Sequence, residues 1–348
     1  EFPKSIEVDS LGNVFVIGMF NNTCDFDPSN SSYFVTSSGA NDCFIAKYDD
    51  TGNFLWVKTF GAINNDYISS SCLDRMGNIY LTGNFDKTID FDFGINSYQA
   101  NADSGNVFLL KLNNNGDFQW LNTVGGISLN GGSMANAGDI KINSLNEIVF
   151  SGIFRDTIDF DPSNINSYNL ISSGGSFPFD QFIVKYDLQG NFLNAAKYGN
   201  NSDDVPFKIA IDKNDNIFAV CTDVYYINFP FNSINKRFRF MYSKIENATL
   251  HQLWNKTISS SINILAHSIE TDKNNTIYIG GSFDGSVDFD EDVNTSYIQA
   301  TPGQGSFDFF LLGLDTLGRF NFLQRYGNNP VDYSYGTIDD IKINNLKQ

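Results

Sequence analysis

The chain has 348 residues, 41% hydrophobic and 18% charged, enough to bury one large core or two smaller ones. Its formal net charge of -18 disfavours nucleic acids and anionic membrane surfaces, which are recognised through clustered Lys and Arg. No run of 18 apolar residues occurs, so no membrane insertion by a helix is expected, and four cysteines are too few for a disulfide scaffold.

In chain order, one stretch keeps returning. NVFVIGMFNNTCDFD at 13–27 becomes NIYLTGNFDKTIDFD at 78–92, EIVFSGIFRDTIDFD at 147–161 and TIYIGGSFDGSVDFD at 276–290. Each has an apolar run, a glycine (Gly18, Gly83, Gly152, Gly281), a phenylalanine (Phe20, Phe85, Phe154, Phe283) and then Asp-Phe-Asp. A degenerate copy, NIFAVCTDVYYINFP at 216–230, has Cys221 in place of the glycine and neither aspartate of the triplet. Successive glycine positions are 65, 69, 69 and 60 residues apart, the mark of a repeat architecture.

Around that stretch each repeat reads as four strands. The first gives SIEVD (5–9), NVFVIGMF (13–20), CFIAKYD (43–49) and NFLWVKTFG (53–61). Ser-Leu-Gly-Asn at 10–13 and Asp-Thr-Gly-Asn at 50–53 are hairpin signals, with Gly and Asn expected to supply positive φ. The first strands of the later repeats are SCLD (71–74), DIKIN (139–143), FKIAID (207–212) and HSIETD (267–272). The repeats span about 1–66, 67–134, 135–204, 205–262 and 263–333, with one more first strand within 335–348. Several strands are apolar on both faces, such as Ile79, Tyr80 and Leu81, as strands covered on both sides are. The expected fold is therefore all-β: a β-propeller of four-stranded antiparallel blades, five full repeats plus the first strand of a sixth. It is either a five-bladed body with an extra strand or a piece of a longer ring.

Of 40 acidic residues only six are Glu, so 34 Asp are concentrated in turns or ligand loops. The sharpest constellation is the repeated pair Asp25/Asp27, Asp90/Asp92, Asp159/Asp161 and Asp288/Asp290, densest in the fifth repeat, where Asp284 and Asp292 flank it. In an extended segment residues two apart point the same way, so each pair could offer oxygens to calcium while the intervening Phe packs inward. The competing reading is structural: Asp before Pro, as at Asp27-Pro28 and Asp161-Pro162, starts a turn and accepts backbone N–H bonds. Trp56, Trp120 and Trp254 share one repeat position and are expected to cover the next blade. Cys24 and Cys43 fall in one repeat on strands that should be neighbours, leaving open a bridge or two buried thiols.

Catalysis has little support. The two histidines, His251 and His267, lie in no nucleophile context, and no HExxH, paired CxxC or phosphate loop occurs. Glu7 and Glu270, on innermost strands, alternate with Lys141 and Lys342 in other repeats and are expected to make inter-blade ion pairs rather than a glycosidase site. The patch Lys236-Arg237-Phe238-Arg239-Phe240 is too small to imply nucleic acid.

Asp74 to Gly83, Asp90-Phe91, Phe44 to Trp56 and Gly61 to Asp66 together resemble the bacterial β-propeller repeat family called SBBP, across nearly the whole chain. The resemblance implies a secreted or cell-surface protein, Bacteroidetes-like and often a type IX secretion substrate, although no sorting tail is seen. It also implies that the loop carrying Asp66, Asp204 or Asp332 opens on the same face as the Asp pairs. The expected function is a non-catalytic binding or adhesion scaffold for an extracellular protein or glycan, with calcium as its one candidate cofactor. The alternatives are a glycan-active propeller enzyme with acids at a central funnel, and a structural module of a large surface protein.

Overall fold

The computed structural model describes every residue except 95, 126–133, 164, 174–178, 200–206, 229–233, 260–262, 291–297, 301–306, 328–340 and 342–348. Its most repeated local device is the hairpin turn. At nine turns an Asp or Asn closing one strand accepts, on Oδ1, the backbone N–H groups two and four residues ahead; Asp49 takes those of Thr51 and Asn53, each at 2.9 Å. Asp9, Asp74, Asn113, Asn143, Asp187, Asp212, Asp272 and Asp315 do the same. The residue third in line has positive φ: Gly52 at 87°, Gly12 at 85°, and Asn146, Asp215 or Asn275 at 61–64° where glycine is missing. Asn53, expected to supply positive φ, instead donates its Nδ2 to Asp49 Oδ2 at 2.8 Å.

These turns fold the chain into four-stranded antiparallel meanders. The first is Phe2–Val8, Val14–Phe20, Asp42–Tyr48 and Phe54–Phe60; the second is Tyr67–Leu73, Ile79–Asp90, Gln99–Leu112 and Phe118–Val124; the third is Met134–Ile142, Glu147–Arg155, Asp180–Asp187 and Phe192–Tyr198. Lys208–Ile211, Ile217–Asn228, Ile234–Ile245 and Gln252–Ser259 form the fourth, and Asn263–Thr271, Ile277–Asp284, Asp308–Leu314 and Phe320–Tyr326 the fifth. The last two are joined by one parallel bridge, Phe238 to Asn263. No helix occurs among the described residues. This is the blade architecture of a β-propeller. The chain divides into two compact units, residues 1–177 with 182–197, and 178–181 with 198–348, and each is described by itself.

First strands begin earlier than the alternation suggested: at Tyr67 rather than 71, Met134 rather than 139 and Asn263 rather than 267. The register slips between Ile68 and Ser70, Ala137 and Ile140, and Ala266 and Ser268, and this bulge breaks the two-residue period that sequence reading relies on. The repeat glycine sits beside the bulge. A Cβ on Gly83 would stand 1.9 Å from the carbonyl oxygen of Tyr67, and one on Gly152 2.4 Å from that of Asn136. In the fourth blade the described pairing of the first strand runs from Ile211 with Ile217 to Lys208 with Val220, and residues 200–206 lie outside the described residues.

The cores of the first, second, third and fifth blades each hold a triplet of phenylalanines. The Phe of Asp-Phe-Asp turns inward onto the strand-two Phe and a strand-three Phe: Phe91 lies 5.4 Å from both Phe85 and Phe108, and Phe160 lies 5.7 Å from Phe154 and 4.8 Å from Phe182. Phe20, Phe26 and Phe44 repeat the motif in the first blade, and Phe283, Phe289 and Phe310 in the fifth. Between blades, the strand-four tryptophan lies on the hairpin glycine of the following blade. Trp56 meets Gly116, Trp120 meets Gly190 and, within the second unit, Trp254 meets Gly318. Lysines add polar ties: Lys111 Nζ donates to Leu188 O at 2.8 Å, and Lys256 Nζ to Gly318 O at 2.8 Å.

The segment 335–348, expected to give a further first strand, lies outside the described residues apart from Ile341. Its Cδ1 stands 2.6 Å from where a Cβ on Gly280 of the fifth blade would be.

Candidate functional site

The aspartate pairs sit where strand two gives way to a short ribbon that sequence reading took for a loop. Thr23–Asp25 pairs with Phe34–Thr36, Thr157–Asp159 with Asn169–Ile171, and Ser286–Asp288 with Ile298–Ala300; in the second blade the ribbon continues strands two and three. The first aspartate closes the ribbon and folds back onto its own backbone. Asp25 Oδ1 accepts from the N–H of Asp27 at 3.1 Å and of Tyr33 at 2.7 Å. Asp90 Oδ1 takes Asp92 and Tyr98, Asp159 Oδ1 takes Asp161 and Tyr168, and Asp288 Oδ1 takes Asp290. The second aspartate starts the next turn: Asp27 Oδ1 accepts from Ser29, Asp92 Oδ1 from Gly94 and Asp161 Oδ1 from Ser163.

One oxygen of the first carboxylate in each pair is thus bonded to backbone N–H groups of its own loop. Other bonds close the same loop. Tyr48 and Tyr186 hydroxyls donate to the carbonyls of Phe26 and Phe160, and Tyr98 stacks on Phe118 with centroids 4.8 Å apart. Asp284 is buried on strand two opposite Asn263. Asp292, Asp204 and Asp332 lie outside the described residues. Among the described residues no three His, Cys, Asp or Glu side chains gather as a metal site built from side chains alone would require.

At Asp25 and Asp90 these hydrogen bonds favour the ionised carboxylate. Asp25 is lowered from its usual value chiefly by the N–H of Tyr33, and Asp90 chiefly by the hydroxyl of Ser97. Asp49, in a hairpin turn, is lowered to about 2 by Asn53 first of all. A depressed folded value means stability present above the unfolded value of about 3.9 and lost as pH falls through the folded one. The turns should therefore loosen between about pH 4 and pH 2. A carboxyl NMR titration of Asp49 is expected to give a midpoint of about 2; a midpoint near the unfolded value of about 3.9 would contradict the turn geometry.

The residues four apart in each turn make a second prediction. The pair is Asp187 with Asn191, Asn113 with Asp117 and Asn143 with Glu147, and in each an amide donates to a carboxylate. Asp187→Asn alone sets two amides face to face and should cost about 1 kcal/mol; Asn191→Asp alone sets two carboxylates together at a similar cost. The double exchange restores the Asn113/Asp117 arrangement, so urea unfolding should show recovery of most of the loss. Additive losses would mean that the side-chain bond contributes nothing.

The remaining candidates resolve as packing. All four cysteines are buried free thiols. Cys24 packs with Phe20, Phe44 and Ala46 on one face of the first sheet, and Cys43 with Ile17 and Ile45 on the other. Glu7 Oε1 accepts from Ser71 Oγ on the next blade's first strand at 3.3 Å, and Ser70 Oγ donates to Asp139 Oδ1 at 2.6 Å, so hydrogen bonds link these blades. His267 Nε2 meets Ser282 Oγ at 3.0 Å. In the basic patch Phe240 is fully buried and Arg239 half-buried; the side chains of Lys236, Arg237 and Phe238 are outside the described set.

Sequence reading named Asp66 but missed its neighbour Asp42. Asp42, at the start of strand three, and Asp66, in the loop after strand four, are 3% and 0% exposed. Asp42 Oδ2 accepts from the N–H of Ser38 at 2.8 Å, and Asp66 Oδ2 from that of Ala62 at 2.7 Å. Asp42 Oδ1 is buried without a hydrogen-bond partner and lies 2.5 Å from where a Cβ on Gly61 would be.

No family model matches the chain. Over 229 residues it is 26% identical to an uncharacterized WD repeat-containing protein of Acanthamoeba polyphaga mimivirus, an overlap of 56% of this chain and 15% of that protein. The chain therefore spans about 15% of the length of the curated relative it matches. The likeness to a WD repeat protein agrees with the four-stranded blades. The fold class is the β-propeller.

Proposed function

We propose that the chain is a non-catalytic binding scaffold whose partner is a protein. The observation that carries this reading is where the acids go. They follow the repeat, and the oxygens of Asp25, Asp90 and Asp159 are used by their own loops rather than aimed together at a substrate. A glycosidase needs two carboxylates set apart across one bond, a constellation that interrupts a repeat instead of obeying it. The ribbons carry exposed apolar residues that a protein partner would cover, among them Phe34 at 66% and Ile171 at 62% exposure, on equivalent strands of the first and third blades. We further propose an SBBP-type surface or secreted protein with an adhesive role; the repeat motif and the acidic charge support it.

Two measurements test this. A panel of chromogenic glycosides and glycan polymers should give no turnover, and Phe34→Ala with Ile171→Ala should weaken capture of a surface-protein fraction without changing Tm. Turnover abolished by replacing a single carboxylate would overturn the reading in favour of the glycan-active enzyme. Antibody against the chain should label intact source cells or their medium; labelling only after permeabilisation would refute the surface assignment.

A further inference from the structure

The repeat supplies its own control for the buried acid at the head of strand three. The position is Asp42 in the first repeat, Asn106 in the second, Asp180 in the third and Asp308 in the fifth. Seventeen residues later, on strand four, stand Thr59, Thr123, Lys197 and Arg325 in the same order. In the fifth blade the two positions meet: Arg325 Nε donates to Asp308 Oδ2 at 2.5 Å, and a second guanidinium nitrogen contacts the same oxygen. Asp308 is 5% exposed, and its Oδ1 lies under Gly327 as Asp42 Oδ1 lies under Gly61. The second repeat removes the charge by carrying Asn, the fifth places a guanidinium on it, and in the third Lys197 Nζ donates to Ile171 O and Ser173 Oγ. The first repeat keeps the acid and has threonine in register.

Asp42 is therefore a buried carboxylate without a counter-ion: no Lys, Arg or His among the described residues pairs with it, and one of its oxygens has no partner. A second carboxylate closes on the same spot. Asp66 N–H donates to Asn41 O at 3.0 Å, and Asp66 Oδ2 is held by Ala62 N–H, next to the Gly61 that Asp42 faces. Gly39 lies so close to Ala62 that a Cβ would stand 2.1 Å from its carbonyl, which brings the loops at 38–42 and 61–66 together around the two acids. Burial of an unpaired charge is too costly to be left standing.

We propose that Asp42 and Asp66 bind a calcium ion, which takes the place of the Arg325 guanidinium of the fifth blade. Calcium suits the spot better than magnesium. It accepts carboxylate, backbone carbonyl and water oxygens in irregular geometry, whereas magnesium demands an octahedron. Two side-chain carboxylates with backbone oxygens and water fit that requirement without a third acid. The site is separate from the Asp-Phe-Asp corners, whose Oδ1 atoms are taken by N–H groups.

The test uses the whole chain, stripped with chelator and titrated with calcium chloride while Tm is followed. Wild type is expected to gain about 5 °C at a hundredfold excess over Kd. Asp42→Asn, which copies the second repeat, should lose the response. Thr59→Arg, which copies the fifth, should also lose it and should melt above the stripped wild type. Asp25→Asn should keep the full response. The proposal is overturned if wild-type Tm ignores millimolar calcium, which would mean that Asp42 is neutralised by a proton. It is equally overturned if the response survives in both Asp42→Asn and Thr59→Arg, or is abolished by Asp25→Asn, which would move the ion to the corners.

Discussion

Phe160→Ala is expected to cost about 3–5 kcal/mol, among the largest losses of any single side chain in the first unit. The ring is fully buried and packs on Phe154 and Phe182, themselves fully buried, so removing it leaves a cavity inside a clamped cluster. Little can collapse into that space. The Phe160 carbonyl is held by the Tyr186 hydroxyl at 2.8 Å, and its N–H donates to Tyr168 O at 3.0 Å. The flanking Asp159→Asn keeps an Oδ1 acceptor for Tyr168 and should cost about 1 kcal/mol or less. Urea unfolding monitored in the first unit measures both. Comparable losses would mean that the motif is held by its acids, contrary to the packing argument.

Gly83→Ala is expected to cost about 3 kcal/mol or more, because the added methyl collides with backbone and not with a movable side-chain end. It would stand 1.9 Å from Tyr67 O and 2.9 Å from both Ile68 Cα and Phe108 Cε1, so the first strand of the blade would have to leave its bulged register. Cys221→Ala, at the equivalent place in the fourth blade, exchanges one small buried residue for another and should cost about 1 kcal/mol. Thermal melts of the two variants separate the explanations. Equal losses would mean that glycine is there for chain flexibility and not for close approach of strand one.

The strands, the inward phenylalanine and the inter-blade role of Trp56, Trp120 and Trp254 were legible because each depends on local period or on a residue type recurring at one place. The bulged first strands were not, since alternation fails at Ser70 and Ala137, where one extra residue enters the ladder. The role of Asn53 was misread because a residue beside a positive-φ glycine reads as a second turn former, while its bond to Asp49 depends on the exact turn length. The backbone partners of the corner acids were not legible, because they depend on the loop that Asp25 closes where its ribbon ends. Asp42 looked like an ordinary loop residue because its burial comes from Gly61 and Asp66, residues on a different strand end. The signal that could have found it is Arg325, which stands seventeen residues after Asp308 where Thr59 stands after Asp42.

The central claim is that the corner acids serve loop geometry and that Asp42 and Asp66, buried where the first repeat has Thr59 in place of the fifth repeat's Arg325, serve a cation. A crystal structure grown in calcium chloride, with anomalous data, tests it most directly. The account predicts Asp25, Asp90 and Asp159 Oδ1 on the N–H groups of Tyr33, Tyr98 and Tyr168, with a calcium peak beside Asp42 and Asp66. Calcium peaks bridging Asp25 with Asp27 and Asp90 with Asp92, and none beside Asp42, would contradict it.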